Sequence, residues 1–390
     1  MSSKLRIIVT GLIGQYPLGG VTWDYLQYVL GLRDLGHDVF YLEDTGQWPY
    51  TPDTDGIGEG CDYTVRYLTE LFERFELADR WAYRFPWQSQ WFGMSDARRQ
   101  EVIDSADLLI NVSGTLEKPA EYRAVRRMAY IDSDPVFTQV KLARGQQYLR
   151  DILDQHDVLF TFGEALGLPS SQTPDTGDRW IPTRQPVILS EWEVGTKPRD
   201  VFTTVMNWSS YNPVEHEGVQ YGQKDVEFRR FFKLPEQVAP AKLELAAKSG
   251  RKTKLPRDQL KHLGWLLAEP DIVCPDLDSY RNYLQSSKAE WSVAKGGYVQ
   301  GQSGWFSCRS ACYLAAGRPV VVQDTGFSKV LPTGEGIVAF TNMEEAVAGI
   351  QSIESDYDRH SRAARQIAEE WFDANRVLEQ FVNDAMQEDV

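Results

Sequence analysis

Between Glu290 and Phe327 the chain collects residue types suited to holding an anion. Lys295 and Arg309 bring positive charge, Ser303, Ser307 and Ser310 bring hydroxyls, and Gly304 keeps the loop small. The pattern predicts a helix over Ser303–Ala316, ended by Gly317 and followed by a buried strand, Pro319–Gln323. A helix opening directly from such a loop offers unpaired backbone N–H groups and the positive end of its dipole. A plain capped helix, with Ser303 or Ser307 at the N-cap, is the alternative. Glycines, two cations and a following buried strand together favour a diphosphate cradle.

Asp132 and Asp134 form a second candidate. Asp-x-Asp pairs also occur at 53/55, 276/278 and 356/358, and with 56 acids in 390 residues the pattern alone carries little. This pair differs in context, because it follows the apolar strand Met128–Ile131 and precedes Pro135. Proline biases Asp134 towards an extended conformation, so both carboxylates point the same way at the carboxyl edge of a strand. They repel, and the more buried one gains a raised pKa suited to accepting a hydroxyl proton. Asp134 is the expected base, with Asp132 as its orienting partner. An Asx turn capping a helix that starts near Gln139 is the alternative.

These residues need a scaffold. Leu5–Thr10 reads as a strand, Gly11 through Gly20 as a glycine loop, about Thr22–Leu35 as a helix, and Val39–Leu42 as a second strand. Tyr25, Tyr28, Val29, Leu32 and Leu35 make one apolar stripe, and Gly36 ends the helix. Such a crossover implies parallel strands wound right-handed. The loop lacks the dinucleotide spacing, and the one literal GxGxG, Gly56–Gly60, follows no strand and reads as a turn. With Gly14, Gly19 and Gly20 the longer loop suits close approach of a substrate in a cleft.

Further strands are expected at Leu108–Val112, Val158–Phe162 and Val187–Leu189, with helices at Tyr63–Phe75 and Leu142–Leu153. Prolines 169, 174, 182, 186 and 198 mark a hinge-like connection. A second half follows, with strands at Val201–Met206, Lys242–Ala246, Trp291–Ala294 and Gly336–Phe340. Helices at Met343–Ile353 and Asp358–Met386, the latter broken near Asp373, close the chain. The expected fold class is α/β: two doubly wound Rossmann-like domains facing a cleft, 1–190 and 191–370, with 371–390 packing back on the first.

Composition narrows the function. A chain of 390 residues, 42% hydrophobic with twelve tryptophans, has ample core and is not disordered. No apolar run approaches the roughly 18 residues that span a bilayer, and the start reads as a strand, not a signal peptide. A net charge of −15 disfavours nucleic acid, although a basic patch runs from Lys248 to Lys261. Four cysteines without zinc-type spacing and five scattered histidines predict no metal site and a reducing, cytoplasmic setting.

Gly304-Trp-Phe-Ser through Ala315-Ala-Gly-Arg-Pro-Val-Val-Val-Gln-Asp-Thr-Gly326 resembles the donor-site region of two-domain (GT-B) glycosyltransferases. Gly19-Gly20-Val21 is similar to their acceptor-side loop, and Tyr130–Thr138 and Leu331–Gly336 resemble a group of predicted bacterial glycosyltransferases. The resemblance implies a nucleoside diphosphate sugar as co-substrate, bound by the second half, and an acceptor on the first. It also implies that Asn207 and Ser209 approach the donor phosphates and that Lys224, at a helix start, reaches the diphosphate. Many retaining members carry two glutamates that would fall here at Gly304 and Cys312, so both acids are missing and ribose recognition passes to Glu290 or Asp324.

The expected activity is metal-independent, Asp-assisted hexosyl or pentosyl transfer with no resident cofactor. A sugar-nucleotide epimerase or hydrolase on the same fold, or a non-catalytic nucleotide- or glycan-binding protein, are the alternatives. A small molecule or glycan is the favoured acceptor, and charge argues against a modified nucleic acid.

Overall fold

Short strands alternate with helices along the whole chain, the pattern that builds parallel sheets covered on both faces. The computed structural model describes residues 4–51, 56–57, 60–195, 197–250 and 253–387. Asp53, Asp55, Gly58, Glu59, Arg251, Lys252 and residues 388–390, which entered the readings above, lie outside the described residues.

One sheet has eight strands. From one edge they are Trp180–Pro182, Val158–Thr161, Met128–Asp132, Leu108–Val112, Arg6–Thr10, Asp38–Glu43, Trp81–Phe85 and Gln90–Gly93. All neighbours are parallel except the last pair. A second sheet has six parallel strands, Leu266–Ala268, Leu243–Lys248, Phe202–Asn207, Ala289–Ser292, Val320–Gln323 and Ile337–Phe340. Every residue of Leu108–Val112 and Met128–Asp132 is buried, as strands covered on both faces require. In each sheet the strand order reverses about the first strand, which opens a crevice at the carboxyl ends.

The helix Gly19–Asp34 joins the two halves. It is buried on most of its surface and packs against both Leu277–Ser286 and Ala374–Met386. Trp23 Nε1 donates to the Leu277 carbonyl at 3.0 Å. The last helix returns to the first sheet, where the Phe381 and Phe160 rings lie 4.1 Å apart. The proline-rich connection is packed rather than loose. Trp192 is fully buried, and Gln27 Oε1 accepts from both the Ile188 N–H (3.0 Å) and Trp192 Nε1 (3.1 Å).

Several expected elements differ. Helix Leu142–Leu153 is two helices, Phe137–Ala143 and Gln147–Leu153, broken where Gly145 adopts φ +73°. Val187–Leu189 is no strand; Val187 makes a single bridge to Asp373. The expected helix from Ser303 starts at Cys308, because residues 303–307 bond elsewhere. Gly304 N–H donates to the Thr325 carbonyl, and the Ser303 carbonyl accepts from Ala165 N–H of the first half, both at 2.8 Å. The first helix begins at Gly19 instead of Thr22, since its glycines press against Asp276 and Tyr280. Trp81–Phe85, Gln90–Gly93 and Trp180–Pro182 were not foreseen.

Gln27→Leu would leave two buried donors without an acceptor, at about 1–3 kcal/mol each. Urea unfolding should show that loss, and an unchanged midpoint would contradict the pinning role of Gln27.

Candidate functional site

A cavity of about 400 Å³ opens between the carboxyl ends of the two sheets. From the first half come Gly20 and Asp24 of the joining helix, with Ser113, Ser133 and Gln185 from strand-end loops. The second half contributes Asn207, Lys224, Lys248, Lys295, Ser307 and Arg309. Of the residues expected from sequence, Gly20, Asn207, Lys224, Lys295, Ser307 and Arg309 therefore line one cavity, Gly20 from the first half and the others from the second.

The three central cations are held in three different ways. Arg309, in the first turn of helix Cys308–Ala315, pairs with Glu290 at 2.6 Å and also donates to the Val205 carbonyl and Ser292 Oγ. Lys295 Nζ lies 2.8 Å from Asp134 Oδ1 and 2.9 Å from the Tyr211 hydroxyl. Lys224, the first residue of helix Lys224–Arg229, has no acceptor among the described residues. Burial, with Arg309 and Lys295 nearby, holds its ammonium pKa well below the ordinary value. Lys224 is half-buried at the cavity wall.

Other expected residues serve the surroundings and do not line the cavity. Glu290 is fully buried; its Oε1 is held by Arg309 and positions the guanidinium, while its Oε2 has no partner among the described residues. Asp324 accepts from Gly326 N–H, Ser328 N–H and Ser328 Oγ, closing a turn. Ser209 Oγ bonds Thr253 Oγ1 at 2.6 Å. Ser303 and Ser310 are buried, and their hydroxyls have no hydrogen-bond partner among the described residues. Gly304 adopts φ +84°, and a Cβ there would stand 2.5 Å from Ala165 N. At Gly19 a Cβ would meet the Asp276 carbonyl at 2.1 Å, while Gly14 N–H donates to Glu43 Oε2 at 2.7 Å. These three glycines serve close packing rather than a ligand.

The Asp132–Asp134 pair is arranged differently from the expectation. Asp132 is 1% exposed and accepts from Thr138 Oγ1 (2.7 Å), Gln139 Nε2 (2.9 Å), Thr161 Oγ1 (3.3 Å) and the Asp134 N–H (3.1 Å). That is the Asx turn, and burial lifts its carboxyl to about 6. Burial also pushes Asp134 upward, but Lys295 and the Tyr211 and Tyr298 hydroxyls outweigh it and hold the carboxyl below its ordinary range. The raised pKa thus belongs to the enclosed residue, and the residue nearer the cavity is an anion bound to Lys295. Neither is a free base.

Asp24 was not anticipated from sequence. It lines the cavity on the first half, and its carboxylate has no hydrogen-bond partner among the described residues. Burial raises it to about 7, with Arg309 opposing. The available signal was its helix: an aspartate set among Trp23, Tyr25 and Leu26 on a helix buried nearly all round has no solvent face to occupy. Lys248, expected in a surface patch, instead reaches across to the Tyr50 hydroxyl at 2.8 Å. All four cysteines are free, and among the described residues no three His, Cys, Asp or Glu side chains are placed to hold a metal ion. No helix of the described residues is long and apolar enough to cross a membrane.

Residues 273–388 match the family model of glycosyl transferase-like proteins. The fold is shared with an α-glucosyltransferase solved with UDP and a 13-mer DNA containing an HMU base (10% identity, TM-score 0.59, 99% of this chain and 100% of that one). It is shared with Anabaena Alr3699/HepE, solved with UDP and glucose (13% identity, TM-score 0.57, 97% and 99%). Sucrose-phosphate synthase from Thermosynechococcus elongatus is similar as well (14% identity, TM-score 0.55, 97% of both chains). A search of curated proteins finds no match.

The raised carboxyl of Asp24 has a measurable consequence. It binds its proton more tightly in the folded chain than in the unfolded one, so its contribution to stability falls as pH rises from about 4 to about 7. Asp24→Asn removes that share, and its urea midpoint should drop less than the wild-type value between about pH 5 and about pH 8. Parallel curves would contradict this environment for Asp24. Along its length the chain has the two-domain fold of these glycosyltransferases, and residues 273–388 match the glycosyl transferase-like family model.

Proposed function

We propose that the cavity binds a nucleoside diphosphate sugar and passes the sugar to a hydroxyl group presented by the first half. The observation that carries this reading is Lys224, a half-buried lysine with no acceptor among the described residues, beside Lys295 and Arg309 in a chain of net charge −15. A concave site that concentrates cations against the charge of the whole molecule calls for a polyanion of small size. A diphosphate satisfies it. The N-terminus of helix Cys308–Ala315 adds Ser307 and unpaired N–H groups at the same wall.

In the reaction the bond from the anomeric carbon to the diphosphate breaks, and negative charge grows on the departing oxygen. Lys224, Lys295, Arg309 and the helix end stabilise it electrostatically without needing to rearrange. The acceptor oxygen forms the new bond, and its proton passes to Asp24, whose pKa of about 7 suits a base at neutral pH. Attack from the Asp24 side inverts the anomeric centre. Gly304 and Cys312, where the two acids of many retaining relatives would stand, offer no carboxylate for the other course. No resident cofactor or metal is required in this scheme, and four unpaired cysteines suit a cytoplasmic setting.

A panel of nucleotide sugars screened by thermal shift should identify a stabilising donor. With that donor, Lys224→Met should lose about 2–4 kcal/mol of transition-state stabilisation, roughly 30- to 1000-fold in kcat/KM. Asp24→Asn should lose turnover while keeping donor affinity. Wild-type rates in Lys224→Met would overturn the diphosphate assignment, and release of free sugar at full rate without acceptor would make the enzyme a hydrolase.

A further inference from the structure

Three large aromatic side chains stand on the first half where no partner covers them fully. Trp87 is 58% exposed, Tyr16 is 41% exposed, and Trp48 is half-buried, packed against the core and against Trp87. They sit on the loops that follow Trp81–Phe85, Arg6–Thr10 and Asp38–Glu43, three adjacent parallel strands. All three therefore project from the carboxyl edge of the sheet, the side on which the cavity opens. Exposed aromatics gathered at one edge mark a binding surface more often than scattered ones do.

The strip is built and continuous with the cavity. The Trp48 ring packs edge-on to Phe85 with centroids 5.4 Å apart, and 5.7 Å from Trp87. Tyr50 N–H donates to the Gln15 carbonyl at 2.8 Å, tying the Trp48 loop to the Tyr16 loop. The Tyr50 hydroxyl then meets Lys248 of the cavity wall. We infer that Tyr16, Trp48 and Trp87 form a saccharide-binding strip that holds an acceptor glycan leading into the cavity. This inference deepens the transfer reading above and rests on it for the direction of the chain.

The chemistry selects the occupant. A pyranose ring carries a face of polarised C–H groups that lies against the negative face of an indole or phenol ring, while its rim of hydroxyls needs acceptors. Carboxylates stand near the same loops: Glu117 lies against Gly46, two residues before Trp48, and Glu121 pairs at 3.4 Å with Arg84 on the strand that leads to Trp87. A nucleic acid base would stack equally well, but its phosphates would meet these carboxylates and a field of net charge −15. A neutral or cationic glycan meets no such repulsion.

The test applies the full-length protein to an array of neutral oligosaccharides, beside an immobilised duplex DNA. The array contains no nucleotide, so its outcome is separate from the thermal-shift screen for donors. Retention of oligosaccharides should weaken about tenfold in each of Trp87→Ala and Tyr16→Ala, the value of one aromatic stacking contact. Tyr148→Ala, which removes an equally exposed ring on helix Gln147–Leu153, should bind as the wild type does. Failure to retain any oligosaccharide, retention that both strip variants preserve, equal loss in Tyr148→Ala, or retention of DNA alone would each overturn the proposal.

Discussion

Three cations crowd one cavity, and their mutual repulsion has to be answered before the chain can fold around them. Arg309 is answered by a buried carboxylate, Glu290, at 2.6 Å. Lys295 is answered from the other half of the molecule, by Asp134 and the Tyr211 hydroxyl. Lys224 is answered by neither, and its pKa falls instead. The first solution fixes a planar guanidinium in one orientation, since breaking a buried pair costs far more than the pair is worth in net stability. The last leaves a site whose charge is restored only when an anion arrives.

That arrangement depends on the halves meeting closely. Gly19 and Gly304 lie where any Cβ would strike the backbone of the opposite half, so their smallness sets the approach. Trp23, Arg74 and Lys248 cross between the sheets, to Leu277, Asp278 and Tyr50. The Lys295–Asp134 contact belongs to the same set, which makes it both a counter-ion for the cavity and a tie between the halves. A diphosphate competing for Lys295 would loosen this tie while adding contacts to Lys224 and Arg309. The site and the interface are one construction.

Much of this was legible in the chain and some was not. The βαβ opening, the parallel strands at 108–112 and 128–132, and the break at Asp373 follow from apolar runs and glycine stops, which are local signals. Lys295, Ser307 and Arg309 were found because loop, helix and cation lie close together in sequence. Asp24 was missed because the amphipathic stripe of its helix suggested a polar face, and only the return of Ala374–Met386 and the approach of Leu277–Ser286 remove that face. The proton affinities of Asp132 and Asp134 differ from expectation for a similar reason. Strand geometry predicted their shared direction, but the partners that decide their proton affinities, Gln139 and Lys295, come from a neighbouring turn and from the far half. The pairing of Glu290 with Arg309 is likewise made only by the fold.

Calorimetry on the unmodified protein would show whether the cation cluster binds a diphosphate. Nucleoside diphosphates of uracil, adenine and guanine would be titrated beside their parent nucleosides. At least one diphosphate should bind on the order of a hundredfold or more tightly than its nucleoside, and less tightly as salt rises. Equal affinity of every diphosphate and its nucleoside would contradict it.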